Sequence, residues 1–230
     1  MFKVVNLTKS YNSKNAIDNI SFEVEKGEFV AITGVSGSGK SALLHILGGL
    51  EKPDSGKVLY NNVDICVLNE NDLAGFRRRS IGMVFKSDNL IPTLNVEENI
   101  TLSLSLGGEK ADEKQYREVT AATGLTGYSK HLPGELTGAQ QQRVAIARAL
   151  MGNPYVILAD EPIENLGSDA GHDLFALFRH INEGLKKTII LATCDEETAT
   201  KAKRVITLKE GRIISDEAGT TWVVAKRLAT

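Results

Sequence analysis

The alternation of apolar and polar positions predicts strands in the first third of the chain and again towards its end. Residues 2–33 fit strands separated by turns, with an alternating run over 21–25, a Lys26-Gly27 turn and a return over 28–33. Asn61-Asn62 predicts a second hairpin turn. The other predicted strands cover residues 57–60, 63–65, 81–85, 155–159 and 188–193, and a final hairpin covers 205–215.

The middle of the chain has helical periodicity instead. Helices are predicted over residues 96–106, 112–123 and 139–151, and two glycines at 107–108 separate the first two. A fourth helix over 168–182 carries an apolar stripe, with Ser168 as the expected N-cap. Strands that alternate with helices predict an α/β fold with a mostly parallel sheet. The helix-rich middle then predicts an inserted subdomain.

Composition narrows the class of protein. The 230 residues, 42% of them hydrophobic, suffice for one substantial core with an inserted subdomain. Lys and Arg number 27 against 29 Asp and Glu, so no general cationic field argues for nucleic acid as a partner. Cys66 and Cys194 lie far apart, which favours a reducing compartment over a disulfide framework. The chain shows neither an apolar signal region at its start nor an apolar run of spanning length. We therefore expect a soluble chain, and this composition is also compatible with docking on a membrane partner.

Residues 34–41 carry the most specific motif, Gly-Val-Ser-Gly-Ser-Gly-Lys-Ser, which fits the phosphate-binding pattern G-x-x-x-x-G-K-[ST]. An apolar, β-branched run over 29–33 precedes the motif and a predicted helix over 41–50 follows it. A glycine-rich turn with a chance lysine is the alternative. The strand-loop-helix context argues against that alternative.

Each part of this motif has an expected task. The glycines let successive backbone N–H groups face an anion, and the helix N-terminus adds its positive dipole end. Lys40 is expected to reach the β- and γ-phosphates of a nucleotide, and Ser41 Oγ to ligate Mg²⁺. The predicted nucleotide-binding residues of this segment are Gly34, Ser36, Gly37, Ser38, Gly39, Lys40, Ser41 and Ala42.

A second element of the site follows the strand predicted over 155–159, which is apolar on both faces as a central parallel strand requires. The strand ends in Asp160-Glu161-Pro162. A buried, unpaired carboxylate is costly, so packing alone explains this pair poorly. Beside a phosphate loop, Asp160 is expected to hold Mg²⁺, commonly through water, and Glu161 to act as general base on an attacking water. A solvated acidic pair at a strand end is the alternative.

Residues 136–150, Leu-Thr-Gly-Ala-Gln-Gln-Gln-Arg-Val-Ala-Ile-Ala-Arg-Ala-Leu, resemble the signature segment and following helix of ATP-binding-cassette (ABC) ATPases, and the resemblance extends over residues 2–216. Residues 133–136 and 76–79 resemble the branch that serves macrolide exporters, lipoprotein-release complexes and cell-division complexes. The resemblance implies one domain over 1–230, with a P-loop NTPase (RecA-like) core and a β subdomain. The core and β subdomain would comprise 1–86 and 153–216, the inserted helical subdomain 87–152, and a C-terminal tail 217–230.

The resemblance also implies a mechanism: a head-to-tail dimer in which two chains enclose two ATP molecules. Tyr11 would stack on adenine, although an exposed tyrosine at a strand end is the alternative. Thr137 Oγ and the Gly138 N–H would contact the γ-phosphate of the ATP bound to the second chain, helped by the helix dipole. The segment 88–94 would meet a membrane permease. The chain would then be cytoplasmic and peripheral, held at the inner face of the cell membrane through that permease.

Several positions depart from the family pattern. Lys86 replaces a glutamine that senses Mg²⁺ and water, and an ammonium group can only donate hydrogen bonds. We expect Lys86 to pair with a phosphate or with Glu161. Cys194 replaces a switch histidine with a shorter, weaker donor. The remaining departures are Ala139 in place of a glycine, Gly167 in place of an aspartate, and Ala42 in place of a common threonine.

These departures leave two explanations open. The groups that bind nucleotide and the general base are intact, whereas the groups that sense the γ-phosphate and contact the second chain are altered. Either the chain is a working ATPase with ordinary drift, or it binds ATP and hydrolyses it slowly. In the second case it could serve as a near-inert regulatory cassette in an asymmetric complex. ABC proteins of DNA repair or translation fit poorly, because the chain has neither a long coiled-coil insertion nor tandem cassettes.

Overall fold

The computed structural model describes residues 1–219 and arranges ten strands in two sheets. The strands are β1 (Phe2–Tyr11), β2 (Lys14–Val24), β3 (Phe29–Thr33), β4 (Ser55–Tyr60), β5 (Val63–Asp64), β6 (Ile81–Val84), β7 (Val156–Asp160), β8 (Thr188–Thr193), β9 (Arg204–Lys209) and β10 (Arg212–Ala218). An antiparallel sheet has the order β2-β1-β4-β5, and a larger sheet has the order β10-β9-β3-β8-β7-β6. In the larger sheet only β9 and β10 pair antiparallel, which confirms the predicted mostly parallel sheet.

Seven α-helices complete the described part of the chain. They are α1 (Lys40–Leu47), α2 (Glu70–Ser80), α3 (Val96–Leu106), α4 (Glu113–Thr123), α5 (Gly138–Met151), α6 (Ser168–Gly184) and α7 (Glu196–Ala199). The predicted helices over 96–106, 112–123, 139–151 and 168–182 are confirmed to within two residues at each end. Among these seven helices none combines the length and apolar character needed to cross a membrane.

Three local predictions need correction. The helix after the phosphate loop ends at Leu47, not at residue 50, because the glycine pair 48–49 follows it. Ser168 is the first helical residue of α6 and not its N-cap; the cap is Gly167, which offers no side chain to the helix. The sequence pattern predicts no helix at the position of α2. Its N-terminus is capped by Asn69, whose side-chain oxygen accepts a hydrogen bond from the Asp72 N–H at 3.0 Å.

The parallel strands separate two hydrophobic cores. In β3, Phe29 and Ala31 belong to one core while Val30 and Ile32 belong to the other, because successive side chains of a strand point to opposite faces. Strands β7 and β8 alternate in the same way. The first core includes residues of α3, α5 and α6, and the second includes α1 and the antiparallel sheet. The sheet is therefore covered on both faces, as a parallel sheet requires.

The strand order determines where the chemistry lies. Strands β3, β8, β7 and β6 are parallel neighbours, so their carboxyl ends meet at one edge of the sheet. The residues that follow these ends are Gly34 after β3, Cys194 after β8, Glu161 after β7 and Lys86 shortly after β6. In open α/β sheets ligands bind at this edge. Strand β10 ends at Ala218, and residues 220–230 of the predicted tail lie outside the described residues.

Candidate functional site

The backbone of the phosphate loop, residues 34–41, packs closely against neighbouring segments and requires glycine at two positions. Gly34 and Gly39 have φ angles of 147° and 106°. A Cβ on Gly39 would lie 2.1 Å from the carbonyl oxygen of Ala16, and one on Gly34 would lie 2.2 Å from that of Leu208. Gly39 is also the N-cap of α1 and provides no side-chain acceptor. The N–H groups of the first helical turn therefore remain free to bind an anion.

Lys40 lies inside this loop, with only 5% of its surface exposed. Its ammonium group donates hydrogen bonds to the carbonyl oxygens of Gly34 at 2.7 Å and Val35 at 3.3 Å, and it pairs with Glu161 Oε1 at 3.2 Å. A buried ammonium with three oxygen partners is fully satisfied and charge-balanced. The buried Ser38 hydroxyl in the same loop has no hydrogen-bond partner within residues 1–219. The loop therefore combines a fixed cation with a buried donor.

Ser41 and Asp160 form an oxygen-rich pair beside the loop. Ser41 Oγ donates a hydrogen bond to Asp160 Oδ1 at 2.9 Å, and His45 Nε2 lies 4.0 Å from Asp160 Oδ2. Burial raises the pKa of the Asp160 carboxyl, and the hydrogen bond from Ser41 opposes that rise. A hydroxyl and a buried carboxylate are the hard oxygen ligands that Mg²⁺ prefers, and Mg²⁺ would stabilise the charged form of Asp160. The donor set therefore fits this metal ion.

Glu161 is held in an unusual backbone conformation. Its φ is 45°, in the left-handed region that non-glycine residues rarely adopt, at a cost of about 1–3 kcal/mol. The Glu161 N–H donates to the Ala192 carbonyl at 2.9 Å, and Glu161 Oε2 accepts from the Cys194 N–H at 3.0 Å. These bonds and the Lys40 pair direct the carboxylate towards the phosphate loop. Such strain often accompanies a functional position.

Lys86 pairs with Glu164, which corrects the expectation that its protein partner would be Glu161. The Lys86 ammonium lies 2.6 Å from Glu164 Oε2, and this hydrogen bond raises the Lys86 pKa. One oxygen of Glu161, one of Glu164 and the Cys194 Sγ all lie within 4.8 Å of one another. Burial raises the pKa of the Cys194 thiol. A metal ion at these three donors would have to displace two ammonium groups, Lys40 and Lys86, from the carboxylates.

These groups line one cavity of about 300 Å³. The sequence-predicted residues that line it are Ser36, Gly37, Gly39, Lys40, Ser41, Ala42, Lys86, Glu161 and Cys194. Ala16 and Glu164 line it as well and were not predicted. Gly34 and Ser38 belong to the loop around Lys40, and Asp160 accepts the hydrogen bond of Ser41, which lines the cavity. The arrangement combines an anion-binding loop, a metal-ligand pair and a buried carboxylate.

Tyr11, at the end of β1, is not among the residues that line this cavity. It is 44% exposed, its hydroxyl donates a hydrogen bond to Glu51, and the Lys9 ammonium lies 5.4 Å from the ring centroid. Burial, and then the bond to Glu51, raises the pKa of Tyr11 to about 12. The ring is exposed enough to stack on a planar ligand, and its adenine contact stays a prediction.

Thr137 and Gly138 begin helix α5 on an exposed surface outside this cavity. Thr137 Oγ accepts a hydrogen bond from the Gln140 N–H at 3.3 Å, so the hydroxyl caps its own helix. Ala139 lies within the first helical turn and is not among the residues with positive φ. A glycine is therefore not required at this position for backbone conformation. The proposed contact of Thr137 and Gly138 with a second chain's nucleotide stays a prediction.

Besides Ala16, three polar residues of the site are not predicted by the sequence pattern. His45 follows Ser41 by one helical turn, so its spacing could have placed it on the same face. Glu164 lies in the turn after Glu161, where no periodic pattern indicates side-chain direction. Gln142 of α5 is buried, and its Nε2 donates to the carbonyls of Phe85 and Pro162, both at 3.0 Å. Gln142 thus joins the residue before Lys86 to the residue after Glu161.

Comparison with known proteins agrees with this geometry. The profile of the ABC transporter family matches residues 17–164. The chain is 44% identical over 200 residues to an uncharacterized ABC transporter ATP-binding protein of Thermotoga maritima, covering 86% of this chain and 85% of the relative. It is 40% identical over 219 residues to the lipoprotein-releasing system ATP-binding protein LolD of Syntrophotalea carbinolica, covering 93% and 96%.

Solved structures give the same result. The chain superposes with a TM-score of 0.86 and 39% identity on a dimeric, post-hydrolysis ATP-binding cassette, MJ0796, bound to ADP and Pi. The match covers 95% of this chain and 98% of that chain. MJ0796 is an uncharacterized ABC transporter ATP-binding protein of Methanocaldococcus jannaschii.

Proposed function

Since the chain belongs to the ABC transporter family, as an ATP-binding ATPase subunit, we propose that it binds ATP with Mg²⁺ at its phosphate loop and couples nucleotide-driven dimerisation to a membrane permease. One observation carries the proposal. A fixed ammonium (Lys40), a hydroxyl–carboxylate pair (Ser41 and Asp160) and a buried carboxylate (Glu161) meet at the N-terminus of α1. These are the parts that phosphoryl transfer from ATP needs.

The proposed roles follow from charge and position. Lys40 and the N–H groups of the loop hold the β- and γ-phosphates. Ser41 and Asp160 hold Mg²⁺, which when bound neutralises charge on the phosphate oxygens. Glu161 accepts the proton of the attacking water; the Lys40 ammonium and the Cys194 N–H hold its carboxylate at the phosphate loop, where a general base is needed. Tyr11 stacks on adenine, and Thr137 and Gly138 contact the nucleotide of a second chain.

We infer that hydrolysis is slow. Lys86 and Cys194 line the cavity beside Glu161, where a neutral amide and an imidazole would stand in the family pattern. Losing one preorganised donor to transition-state charge costs roughly a hundred- to a thousandfold in rate. The second candidate function, a near-inert regulatory cassette, rests on the same two residues. Turnover measurements separate the two candidates.

The partners and the place of action are inferred from relatives. LolD is named for a lipoprotein-releasing system, and a MacB protein of Rhodospirillum rubrum, of which this chain spans 34%, is named as an ATP-binding and permease protein. We propose that this chain acts at the inner face of the membrane with a separate permease chain and a second cassette. The segment 88–94 would contact the permease, and 87–152 would move as the helical subdomain.

Nucleotide binding provides the primary test. Lys40→Ala removes the fixed ammonium and should weaken Mg²⁺-ATP binding at least tenfold, measured by titration calorimetry with circular dichroism as a check on folding. Lys130→Ala, in an exposed lysine that does not line the cavity, is the control. Equal ATP affinity in the Lys40→Ala variant and the unmodified chain would refute the proposed site.

Hydrolysis is tested separately. Steady-state phosphate release by the unmodified chain should exceed that of Glu161→Gln, which keeps the shape of the general base without its basicity. Release equal to that of Glu161→Gln favours the regulatory cassette.

A further inference from the structure

Lys86 lines the cavity, but the phosphate and Mg²⁺ contacts proposed above assign it no ligand. It follows β6, is exposed, and its ammonium lies 2.6 Å from Glu164 Oε2. Both residues line the same cavity as Lys40 and Ser41. Lys40 pairs with Glu161 at 3.2 Å, and oxygens of Glu161 and Glu164 lie within 4.8 Å of each other. Because Glu164 in turn pairs with Lys86, the four charged side chains follow one another across the cavity. The cavity therefore holds two cations and two anions.

The two ion pairs differ in how firmly they are held. Lys40 is buried and donates hydrogen bonds to two backbone carbonyls, so moving its ammonium group would break buried hydrogen bonds. The side chains of Lys86 and Glu164 are 50% and 37% exposed. Exposed pairs contribute only about 0–1 kcal/mol, because water screens them and long side chains lose entropy. Of the two pairs, the Lys86–Glu164 pair is therefore the one in which a stronger anion can replace the carboxylate as the partner of the lysine.

A terminal phosphate is such an anion. It carries more negative charge than a carboxylate, and charge-assisted hydrogen bonds to phosphate are among the stronger ones in proteins. The phosphate loop holds that phosphate in the cavity which Lys86 lines. An anion held there attracts Lys86 and repels Glu164.

We propose that Lys86 is a nucleotide-binding residue that exchanges Glu164 for the terminal phosphate of ATP. The inference rests on the proposed function of the same site and adds a selectivity to it. ADP lacks the γ-phosphate, so the exchange favours ATP over ADP. The lysine supplies positive charge where Mg²⁺ otherwise does, so the selectivity persists without the metal ion. The exchange also releases Glu164 in the segment 163–167, which links that segment to nucleotide state.

The test measures ATP and ADP affinity in EDTA by titration calorimetry, so no readout depends on turnover. Lys86→Met removes the charge and retains most of the stem. We expect it to weaken metal-free ATP binding about tenfold, the order of one charge-assisted hydrogen bond, and to leave ADP within about twofold. Saturating Mg²⁺ should reduce the loss, because the ion neutralises the same oxygens.

Glu164→Gln removes the competitor and should strengthen metal-free ATP binding about two- to fivefold, the value of an exposed ion pair. In a Lys86→Met background the same change should have a smaller effect, because no ammonium remains to be released and only the repulsion between Glu164 and the phosphate is relieved. Lys130→Met is the matched control, since Lys130 forms an exposed pair with Glu97 at 2.8 Å and does not line the cavity.

The outcomes distinguish failure of the Lys86 exchange from failure of the proposed function. An unchanged ATP-to-ADP ratio in Lys86→Met, or additive effects of the Lys86 and Glu164 changes, would overturn the exchange while leaving the proposed function intact. Lys40→Ala serves as the reference for the site itself. If that variant binds ATP as the unmodified chain does, the proposed function fails and the exchange fails with it.

Discussion

Gln142 offers the sharpest test of how the site is assembled. Its side chain is 4% exposed, and its Nε2 donates to the Phe85 and Pro162 carbonyls, both at 3.0 Å. These carbonyls lie next to Lys86 and close to Glu161, so one amide on α5 connects both segments. The change Gln142→Met keeps the length and unbranched shape of the side chain while removing the donor.

The burial of these two carbonyls determines how much stability Gln142→Met should lose. The buried Pro162 carbonyl costs about 1–3 kcal/mol when it loses its partner, and the half-buried Phe85 carbonyl about 1 kcal/mol or less, so the free energy of unfolding should fall by roughly 1–4 kcal/mol. For a chain of this size about 1 kcal/mol corresponds to roughly 2–4 °C in Tm, so Tm should fall by about 2–16 °C. Turnover should fall as well, because Lys86 and Glu161 lose their shared support.

Urea unfolding followed by circular dichroism measures the loss. Gln141→Met is the matched control: Gln141 Nε2 also donates to two carbonyls, of Pro133 at 2.8 Å and Leu136 at 3.1 Å, but this side chain is only partly buried. Water can replace its donor, so the control should lose about 1 kcal/mol or less. A loss below 1 kcal/mol in Gln142→Met, or equal losses in both variants, would refute the reasoning.

Three further outcomes are expected. Glu161→Gln with saturating ATP should stay mainly monomeric by light scattering, because Gly167 lacks the carboxylate that the family pattern places at the interface; a tight, fully populated dimer contradicts this. With saturating Mg²⁺, the double change Lys86→Gln and Cys194→His should raise kcat in steady-state phosphate release and leave ATP affinity within a few-fold, since the phosphate loop is unchanged and Mg²⁺ offsets the lost Lys86 charge. An unmodified rate already near ~1 s⁻¹ or above, or an unchanged kcat, would show that these residues do not limit hydrolysis. Iodoacetamide should modify exposed Cys194 before half-buried Cys66, whose pKa burial raises to about 11, and Cys66 labelling should rise about tenfold per pH unit from pH 7 to 9 as its thiolate increases. Equal, pH-independent labelling rates by mass spectrometry would contradict the assigned burial.

The parts that sequence reasoning could reach are those with a strong local pattern. The motif 34–41, between an apolar strand and a helix, determines its own geometry, because glycines are required where φ is positive and where Ala16 and Leu208 approach. The strand that ends at Asp160 is apolar on both faces, which predicts a central position, and β7 lies between β8 and β6. The helices of the middle segment carry clear periodicity and were therefore located closely.

The parts it could not reach depend on contacts between distant segments or on polar elements. Only Leu73 of helix α2 is fully buried, and the last turn of the helix carries Arg77–Arg79, so the sequence shows no apolar stripe there. Its support comes from the Asn69 cap and from Arg77 bonding the Gly49 carbonyl at 2.9 Å. The partner of Lys86 depends on the direction of one side chain in a turn. No spacing rule encodes that direction.

The position of β3 in the sheet has a consequence for how the chain is made. Phe29 pairs with Ile189, and Val30 pairs with Arg204, so both neighbours of the strand that carries the phosphate loop come from the last quarter of the described residues. At about 5–20 residues per second, a ribosome needs roughly 8–30 s to add the 160 residues between Phe29 and Ile189. Throughout that interval β3 has two unpaired edges and two apolar faces, the features that promote aggregation of nascent chains. Slow, non-local closure is also expected of parallel sheets in general. The nucleotide site is thus among the last features of the molecule to form, although its motif is among the first parts to be synthesised.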